Sequence, residues 1–490
     1  MNSRKPSEAE FIDPVRNDKN NLYNRLLRAV SEGKITNDES ASRMLYNTSP
    51  GDKKFLMLKN RLRDRLVNSV VLINKKKIST EPLAQAMHSG SKYFIAAKLM
   101  ATVGARDSAL QLGRHALMLA QKFALTDLIF QSSELLRGLH AYSGNKKDFT
   151  QYHVVCEQAL RDLNLESKAA YLFEELTVQL ARTKSHDIRL AQQARHYFHQ
   201  LRRMITQSSS FNLHTYYYRI GTLYYQLIKD YNKLIDLLNQ HERYLQHYPH
   251  LNVQVQKGKF ALLRIGAYLY LRDYAKGRQE AEQALQLFRR GSNNWFTTME
   301  NYFLLSMQAG DFEQAARLFD QATSHERFAH LPEVKKETWK VYEAYLLYAL
   351  PERRRQKTFR IEKFLNEVPI FQKDKAGLYP SILIAQVLFL FEIMDEQRLE
   401  KTLESLRIFA TRNLKAVSAP RTINFIKIMR LLFNYHYDLR KAMAKIQAPL
   451  SRMQAALEAP REERELMEII SYEYLCTRIQ DRLKTFNKMV

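Results

Sequence analysis

Residues 302–322 read YFLLSMQAGDFEQAARLFDQA: an apolar run, a turn at Gly310 and Asp311, and a second run rich in alanine. Positions four, eight and eleven after Asp311 are Ala315, Phe319 and Ala322. These offsets fall on one face of an α-helix, because side chains three and four residues apart lie above one another. The stretch therefore predicts two helices joined by a short turn, with a small or apolar face of the second helix packed on the first.

The turn returns at a nearly constant interval along the chain. It is marked by Asp148, Asp187, Asp230, Asp273, Asp311, Asp395 and Asp438. These residues are 39, 43, 43, 38, 84 and 43 positions apart, and 84 is two units of 42. In the unit without an aspartate, Lys357 fits the turn and is followed by Ile361, Leu365 and Val368. A fixed period of this size is typical of a stacked helical array.

The packing face of the second helix is small or apolar in most units. The faces that follow Asp148, Asp187 and Asp273 are, respectively, Tyr152, Cys156 and Ala159; Ala191, Arg195 and Phe198; and Gly277, Ala281 and Ala284. The faces that follow Asp395, Asp438 and the equivalent residue Ala105 are, respectively, Leu399, Leu403 and Leu406; Ala442, Ile446 and Pro449; and Ala109, Gly113 and Ala116. Such faces allow two helices to approach closely. From about residue 80 onward the chain is therefore predicted to consist of helix pairs.

Residues 80 to 450 resemble the tetratricopeptide repeat (TPR) family. The unit at 302–322 has the family's Gly-Asp-aromatic turn at Gly310, Asp311 and Phe312, and its Ala, aromatic and Ala residues are those already described. The unit at 267–284 is the next most similar. The period is nearer 42 than the family's 34, and the closing proline is missing, so helices or loops are longer. The resemblance implies an all-α fold, a right-handed α-solenoid of about nine TPR-like helix pairs.

TPR proteins bind peptides or protein segments on the concave surface lined by their first helices. In the register of this chain, the resemblance places these residues on that surface: Arg137, Tyr216, Arg219, Lys259, Glu300, Glu343 and Lys427. Any single one of them is equally compatible with a solvated or packing role, so the prediction concerns the groove as a whole. The Lys and Asn set with which some TPR domains hold a peptide carboxylate is absent, and that specificity is not implied.

The rest of the chain is organised around this array. We predict a flexible N-terminus at 1–18, a basic helical module at 19–78, the TPR-like solenoid at 79–450 and C-terminal capping helices at 451–490. Within the module, helices are predicted at about 19–32, 37–47 and 52–74. Thr36 with Glu39 fits a capping box for the second helix. Ser49 is the predicted cap of the third, with Pro50 as its first residue.

The composition is basic, with 76 Lys and Arg against 51 Asp and Glu, a formal charge of +25. Such a charge attracts nucleic acid, anionic membranes or acidic proteins, and a soluble protein without a polyanion partner is the alternative. Lys54, Arg61 and Arg65 share one face of the predicted 52–74 helix, with Lys59 and Arg63 beside them. The outline is similar to a helix-turn-helix that reads the major groove. It equally fits a terminal cap with a polar outer face, which solenoids need.

Other sequence features point away from catalysis and membranes. Cys156 and Cys476 are too far apart in sequence to suggest a disulfide framework or a zinc site. The N-terminal residues contain no apolar core, which predicts that there is no signal peptide. The most apolar stretch, 382–391, is shorter than the roughly 20 residues of a membrane span and is expected to be a buried helix. A cytoplasmic location follows as the prediction.

The function predicted from these observations is a non-enzymatic interaction scaffold that uses no cofactor or metal and binds an acidic protein or peptide in the groove. Phosphate-binding, dinucleotide and nucleophile-elbow motifs are missing, and His196 and His199 are expected to be a surface pair. The alternative is a nucleic-acid-binding regulator, with a helix-turn-helix-like N-terminal module and a TPR-like sensor domain. A third hypothesis is an enzyme with its site in the groove. The sequence leaves the oligomeric state open.

Overall fold

The computed structural model describes residues 22–72, 81–182, 188–251, 254–356, 360–369, 378–414, 420–457 and 468–486. In these residues every regular element is helical: there are 22 α-helices and one 3-10 helix, and there is no strand. The predicted all-α class is therefore confirmed. No helix within the described residues is long and apolar enough to cross a membrane.

The chain divides into two compact units, Met1–Leu165 and Glu166–Val490, here called the N-terminal and C-terminal units. The first helices are α1 (Leu22–Ser31), α2 (Asp38–Tyr46), α3 (Lys53–Leu72), α4 (Pro82–Thr102), α5 (Arg106–Lys122), α6 (Thr126–Tyr142) and α7 (Lys146–Arg182). The division falls within α7, a continuous helix of 37 residues. The predicted break between a second helix and the next first helix is thus absent here, because no Gly or Pro interrupts 146–182. The predicted boundary near residue 78 and the N-terminal segment 1–18 lie outside the described residues.

Helices α1 to α3 form a small module around their own apolar core. That core consists of Leu26, Ala29, Ile35, Ala41, Phe55, Leu58 and Leu62. Both predicted caps in this module are wrong. The N-cap of α2 is Asn37, whose side chain accepts the N–H of Ser40 at 2.9 Å, because asparagine ranks above threonine as a cap. At α3, Asp52 accepts the N–H groups of Lys54 and Phe55 at 2.8 and 3.1 Å, because its carboxylate reaches two orphan donors.

The C-terminal unit contains the second part of α7 and fifteen further α-helices within the described residues. They are α8 (Ile188–Met204), α9 (Phe211–Leu227), α10 (Tyr231–Gln246), α11 (Gln254–Leu271), α12 (Tyr274–Leu287), α13 (Asn293–Ala309), α14 (Phe312–Thr323), α15 (Glu333–Ala349), α16 (Pro351–Gln356), α17 (Ile361–Asn366), α18 (Tyr379–Ile393), α19 (Glu396–Asn413), α20 (Pro420–Asn434), α21 (Leu439–Ala455) and α22 (Tyr472–Phe486). From α8 to α16 each helix packs on the next one in the chain, as do α18 to α21. Helix α11 also packs on α13, and α15 on α18.

Five of the predicted turn aspartates begin a helix by the same local mechanism. They are Asp230, Asp273, Asp311, Asp395 and Asp438, and each side chain accepts a backbone N–H from the first turn of the helix that follows. The residue before each aspartate has a φ between 53° and 79°, a left-handed conformation that ends the preceding helix. Asp148 differs, because it lies inside α7 and its N–H donates to Asn145 Oδ1 at 3.2 Å. Asp187 lies outside the described residues.

The predicted packing faces are buried in most units. Ala315, Phe319 and Ala322 are buried, as are Leu399, Leu403 and Leu406. The prediction is wrong for Arg195, which is exposed, whereas its neighbour Ala194 is buried. In α8 the spacing of Leu190, Ala194, Phe198 and Leu201 sets the buried face, since the charged guanidinium gains more from water than from an apolar contact.

The third position of this face in α10 is His241, where several other units have alanine. The side chain is buried and stacks on Tyr218, with ring centroids 4.2 Å apart and an interplanar angle of 8°. Phe260 meets the imidazole edge-on at 4.9 Å. Burial lowers the pKa of His241 to about 4, because an apolar surrounding disfavours the charged ring.

Candidate partner-binding surface

Residues 468–486, here called the C-terminal segment, contribute buried side chains to the core of the C-terminal unit. Ile470, Leu475 and Leu483 of this segment are at most 1% exposed. Its Tyr472 ring stacks on Phe425 of α20 with centroids 4.4 Å apart, and its Tyr474 ring lies 4.8 Å from that of Phe312. Arg478 donates to the carbonyl oxygen of Ala349 at 3.2 Å. The segment therefore joins α14 and the end of α15 to the last helix pair.

A buried charge cluster fastens this segment. The Arg421 side chain is 0% exposed and donates to both carboxylate oxygens of Glu468, at 2.5 and 3.0 Å, and of Glu473, at 2.7 and 2.8 Å. It also donates to the carbonyl oxygen of Met453 at 2.8 Å. Burial opposes its charge, but the hydrogen bonds to the two carboxylates prevail and raise the pKa of Arg421. Arg272, at the end of α11, adds a contact of 3.3 Å to Glu468.

Two of the predicted groove positions are neutralised within the unit. Glu300 accepts from Lys335 Nζ at 2.6 Å and from the hydroxyl of Tyr342 at 3.1 Å. Glu343 accepts from Lys340 Nζ at 3.3 Å. The long run of buried residues in α15, from Glu337 to Ala349, also means that most of this helix is covered by the chain itself. These positions therefore contribute to packing inside the unit.

The structure brings two other predicted positions, Tyr216 and Arg219 of α9, together with Phe173 of α7. The guanidinium carbon of Arg219 lies 3.8 Å from the Phe173 ring centroid and 5.7 Å from that of Tyr216. The two rings are 6.0 Å apart and both are half-buried, whereas Arg219 is exposed. This group is called the Arg219 cluster below. A cation held over aromatic faces loses little mobility when it binds an anion.

The remaining groove candidates are separate from the Arg219 cluster in their contacts. Lys259 is exposed on α11. It lies fourteen positions before the turn residue Asp273, just as Tyr216 lies fourteen positions before Asp230. Lys427 is exposed on α20. Arg137, in the N-terminal unit, lies against α7, where its Nη1 is 3.8 Å from Cys156 Sγ and 3.5 Å from His153 Nδ1.

The nucleic-acid candidates on α3 have different surroundings. Lys59 pairs with Asp38 at 2.5 Å, and Arg63 lies 3.6 Å from Asp64. Lys54 and Arg61 are exposed, and the side chain of Arg65 lies outside the described part of the chain. Exposed apolar side chains, Leu56, Met57, Leu66 and Val67, share the helix surface with them. The face is thus basic at its start and mixed with apolar residues toward its end.

Neither family models nor curated proteins give a match to this chain. Within the described residues, no group of three or more His, Cys, Asp or Glu side chains is arranged to hold a metal ion. His196 and His199 are both exposed on α8, as predicted for a surface pair. Cys156 and Cys476 are buried and carry free thiols.

Two elements of these sites were missed from the sequence. A register counted from the turn aspartates does not include Phe173, because α7 passes through this region without a turn. The Arg421 cluster joins residues 47 and 52 positions apart, beyond any local pattern. A usable signal was present at Glu468 and Glu473, since two acids flanking apolar residues in a basic chain suggest a buried cationic partner.

Proposed function

We propose that this chain is a non-enzymatic interaction protein, built as a right-handed TPR-like solenoid of about nine helix pairs, that binds an acidic peptide or protein. Three features support this architecture: the repeated aspartate-capped turns, the small packing faces of the second helices, and the contacts of each helix with the next. In such arrays stability comes from nearest-neighbour interfaces, so surface positions on the first helices are available for ligands.

The observation that carries the proposal is the Arg219 cluster. In the described residues no carboxylate lies within ion-pair distance of Arg219, although the two aromatic rings hold its guanidinium in place. The N–H edges of a guanidinium match the two oxygens of a carboxylate. An acidic side chain of a partner therefore completes the arrangement, and the net positive charge of the chain accelerates its approach.

Replacing Arg219 with alanine is expected to weaken binding of a fluorescently labelled peptide of alternating Glu and Phe by about tenfold or more, since a charge-assisted hydrogen bond contributes about 1.5–3 kcal/mol. Arg219→Lys should retain part of the affinity, because lysine keeps the charge but not the planar fork. Fluorescence anisotropy measures both. Arg317→Glu, an exposed position on α14, is the control and should bind almost normally. An unchanged dissociation constant for Arg219→Ala would remove this surface from the proposal.

The alternative function is a nucleic-acid-binding regulator that uses the N-terminal module, and the exposure of Lys54 and Arg61 supports it. Exchanging Lys54, Arg61 and Arg65 for Glu should then abolish binding to mixed-sequence DNA and RNA in a gel-shift titration at low salt. The control is a second triple variant in which the exposed residues Lys146, Lys147 and Arg161 are changed to Glu. It changes the net charge by the same amount and should leave binding largely intact. Equal binding by both triple variants would exclude the module as the contact site.

A further inference from the structure

Helix α8 has an exposed face that is rich in basic residues. Its sequence, IRLAQQARHYFHQLRRM, contains four arginines and two histidines and no acid. Arg195, His199 and Arg202 follow one another at spacings of four and three, and Arg203 lies next to them. All four are exposed, and the stripe flanks the buried face of Ala194, Phe198 and Leu201. Positions four and three apart form a continuous stripe along a helix.

This stripe differs from the exposed faces of the second helices α12 and α14, which carry both signs of charge. Helix α12 contains Glu280 and Glu282, and α14 contains Glu313 and Asp320. Mixed charges of this kind form ion pairs along a solvated face, as Arg407 and Glu404 do on α19. For Arg195, Arg202 and Arg203, no carboxylate lies within ion-pair distance in the described part of the chain. Their charges repel one another, and an anionic ligand relieves that repulsion.

Aromatic rings lie beside the stripe. Phe198 of α8 stacks on Tyr217 with centroids 4.9 Å apart, and Tyr224 and Tyr225 are 5.9 and 5.7 Å from it. The three tyrosines are half-buried, so part of each ring reaches the surface. Burial raises the pKa of Tyr217 and Tyr225, and the charge of Arg202 acts on both hydroxyls in the opposite sense. Arg202 is therefore near the hydroxyl groups of Tyr217 and Tyr225.

Helix α8 is held rigidly enough to present this surface. The hydroxyl of Tyr197 donates to Glu175 Oε2 of α7 at 2.5 Å and accepts from Gln193 Nε2 at 2.8 Å. Its buried face packs on α9 through Phe198 and the tyrosines. The backbone that carries the arginines is thus fixed relative to the rings, and only the arginine side chains need to become ordered on binding.

We propose that Arg195, Arg202 and Arg203, with Tyr217, Tyr224 and Tyr225, form a contact site for single-stranded nucleic acid. The arginines neutralise consecutive phosphates, and the partly exposed tyrosine rings stack with unpaired bases. An acidic protein bound at this surface would use the arginine charges but would have no bases to stack on the tyrosine rings. A duplex hides its base faces, so only a single strand uses both halves of the surface. The site is distinct from the Arg219 cluster and goes beyond the peptide-binding function proposed above.

Salt-dependent binding of a labelled oligouridylate, measured by fluorescence anisotropy, tests this site. The variant Arg195→Glu, Arg202→Glu, Arg203→Glu should bind at least about tenfold more weakly at low salt. Its slope of log K against log salt should be smaller by about 2, since each phosphate contact of a single strand contributes about 0.7. Tyr224→Leu should weaken binding by about fivefold or more with an unchanged slope, because stacking does not depend on salt in this way.

The matched control is the exposed triple Arg440→Glu, Lys445→Glu, Arg452→Glu on α21, a helix that is also basic and free of acids. It changes the net charge by the same amount and should keep nearly the original slope. An equal loss in this control would reduce the effect to net charge and overturn the proposal. The proposal would also be overturned if the protein bound the duplex as tightly as the single strand and Tyr224→Leu had no effect. Tight binding of polyglutamate in place of the oligonucleotide would overturn it as well. Arg219→Ala should bind the oligonucleotide normally, which separates this test from that of the peptide surface.

Discussion

Replacing Arg421 with methionine is expected to lower the free energy of unfolding of the C-terminal unit by about 3–5 kcal/mol. The side chain is fully buried, and its removal leaves the carboxylates of Glu468 and Glu473 without their main cation. A buried carboxylate without a partner either stays charged at a high desolvation cost or takes up a proton. Methionine has a similar length and no charge, so the loss reports the ion pairs more than the lost volume.

Urea unfolding followed by tryptophan fluorescence measures this change in the right part of the chain. The sequence contains 2 Trp, and both Trp295 and Trp339 belong to the C-terminal unit. Arg272→Met is the comparison, because Arg272 makes one contact of 3.3 Å and its side chain is 23% exposed; a loss of about 1 kcal/mol or less is expected. Adding Glu468→Gln and Glu473→Gln to Arg421→Met should restore part of the stability. A loss below about 1 kcal/mol for Arg421→Met would contradict the assigned role.

Acidification is expected to destabilise the C-terminal unit through His241. In the folded chain its pKa is about 4, whereas an unfolded histidine titrates near 6.5. Between these values the unfolded chain binds the extra proton, so stability is fully present above about pH 6.5 and is lost as the pH falls toward 4. The difference of roughly 2.5 pKa units corresponds to about 3 kcal/mol.

The variant His241→Phe isolates this contribution. Phenylalanine keeps an aromatic ring between Tyr218 and Phe260 but has no titrating group, and other groups titrate equally in both proteins. Urea unfolding at several pH values between 7 and 4 should therefore show a gap between wild type and variant that changes by about 3 kcal/mol in favour of the variant. Parallel pH profiles would show that His241 accepts its proton in the folded protein as easily as in water.

Local interactions made much of the fold predictable. Asp311 caps its helix through an N–H three residues later, and the left-handed residue before Asp311 is Gly310. The turn therefore depends only on residues that are close in sequence. The buried face of Ala315, Phe319 and Ala322 follows from helical periodicity in the same way. At Arg195 the register counted from Asp187 fails, because the buried face of α8 is set by Leu190, Ala194, Phe198 and Leu201.

The candidate sites depend on contacts that are distant in sequence and were only partly predictable. The predicted register includes Tyr216 and Arg219, but Phe173 belongs to α7, a continuous helix in which no turn marks its position. The basic stripe of α8 could have been found from the absence of acids in its 17 residues, since that feature is purely compositional. Its neighbouring tyrosines on α9 become part of the surface only when the two helices pack.

The C-terminal segment also has a consequence for the order of folding during synthesis. Glu468 lies 196 residues beyond Arg272 and 160 beyond Gln308, whose side chain donates to its carbonyl oxygen. The apolar surface that contacts Ile470, Leu475 and Leu483 therefore stays exposed to solvent until the intervening residues have been synthesised. A growing polypeptide with such a surface is prone to aggregate or to bind chaperones. Completion of the C-terminal unit therefore requires the synthesis of residues 468–486, and a chain that stops before Glu468 would expose this apolar surface and be prone to aggregation.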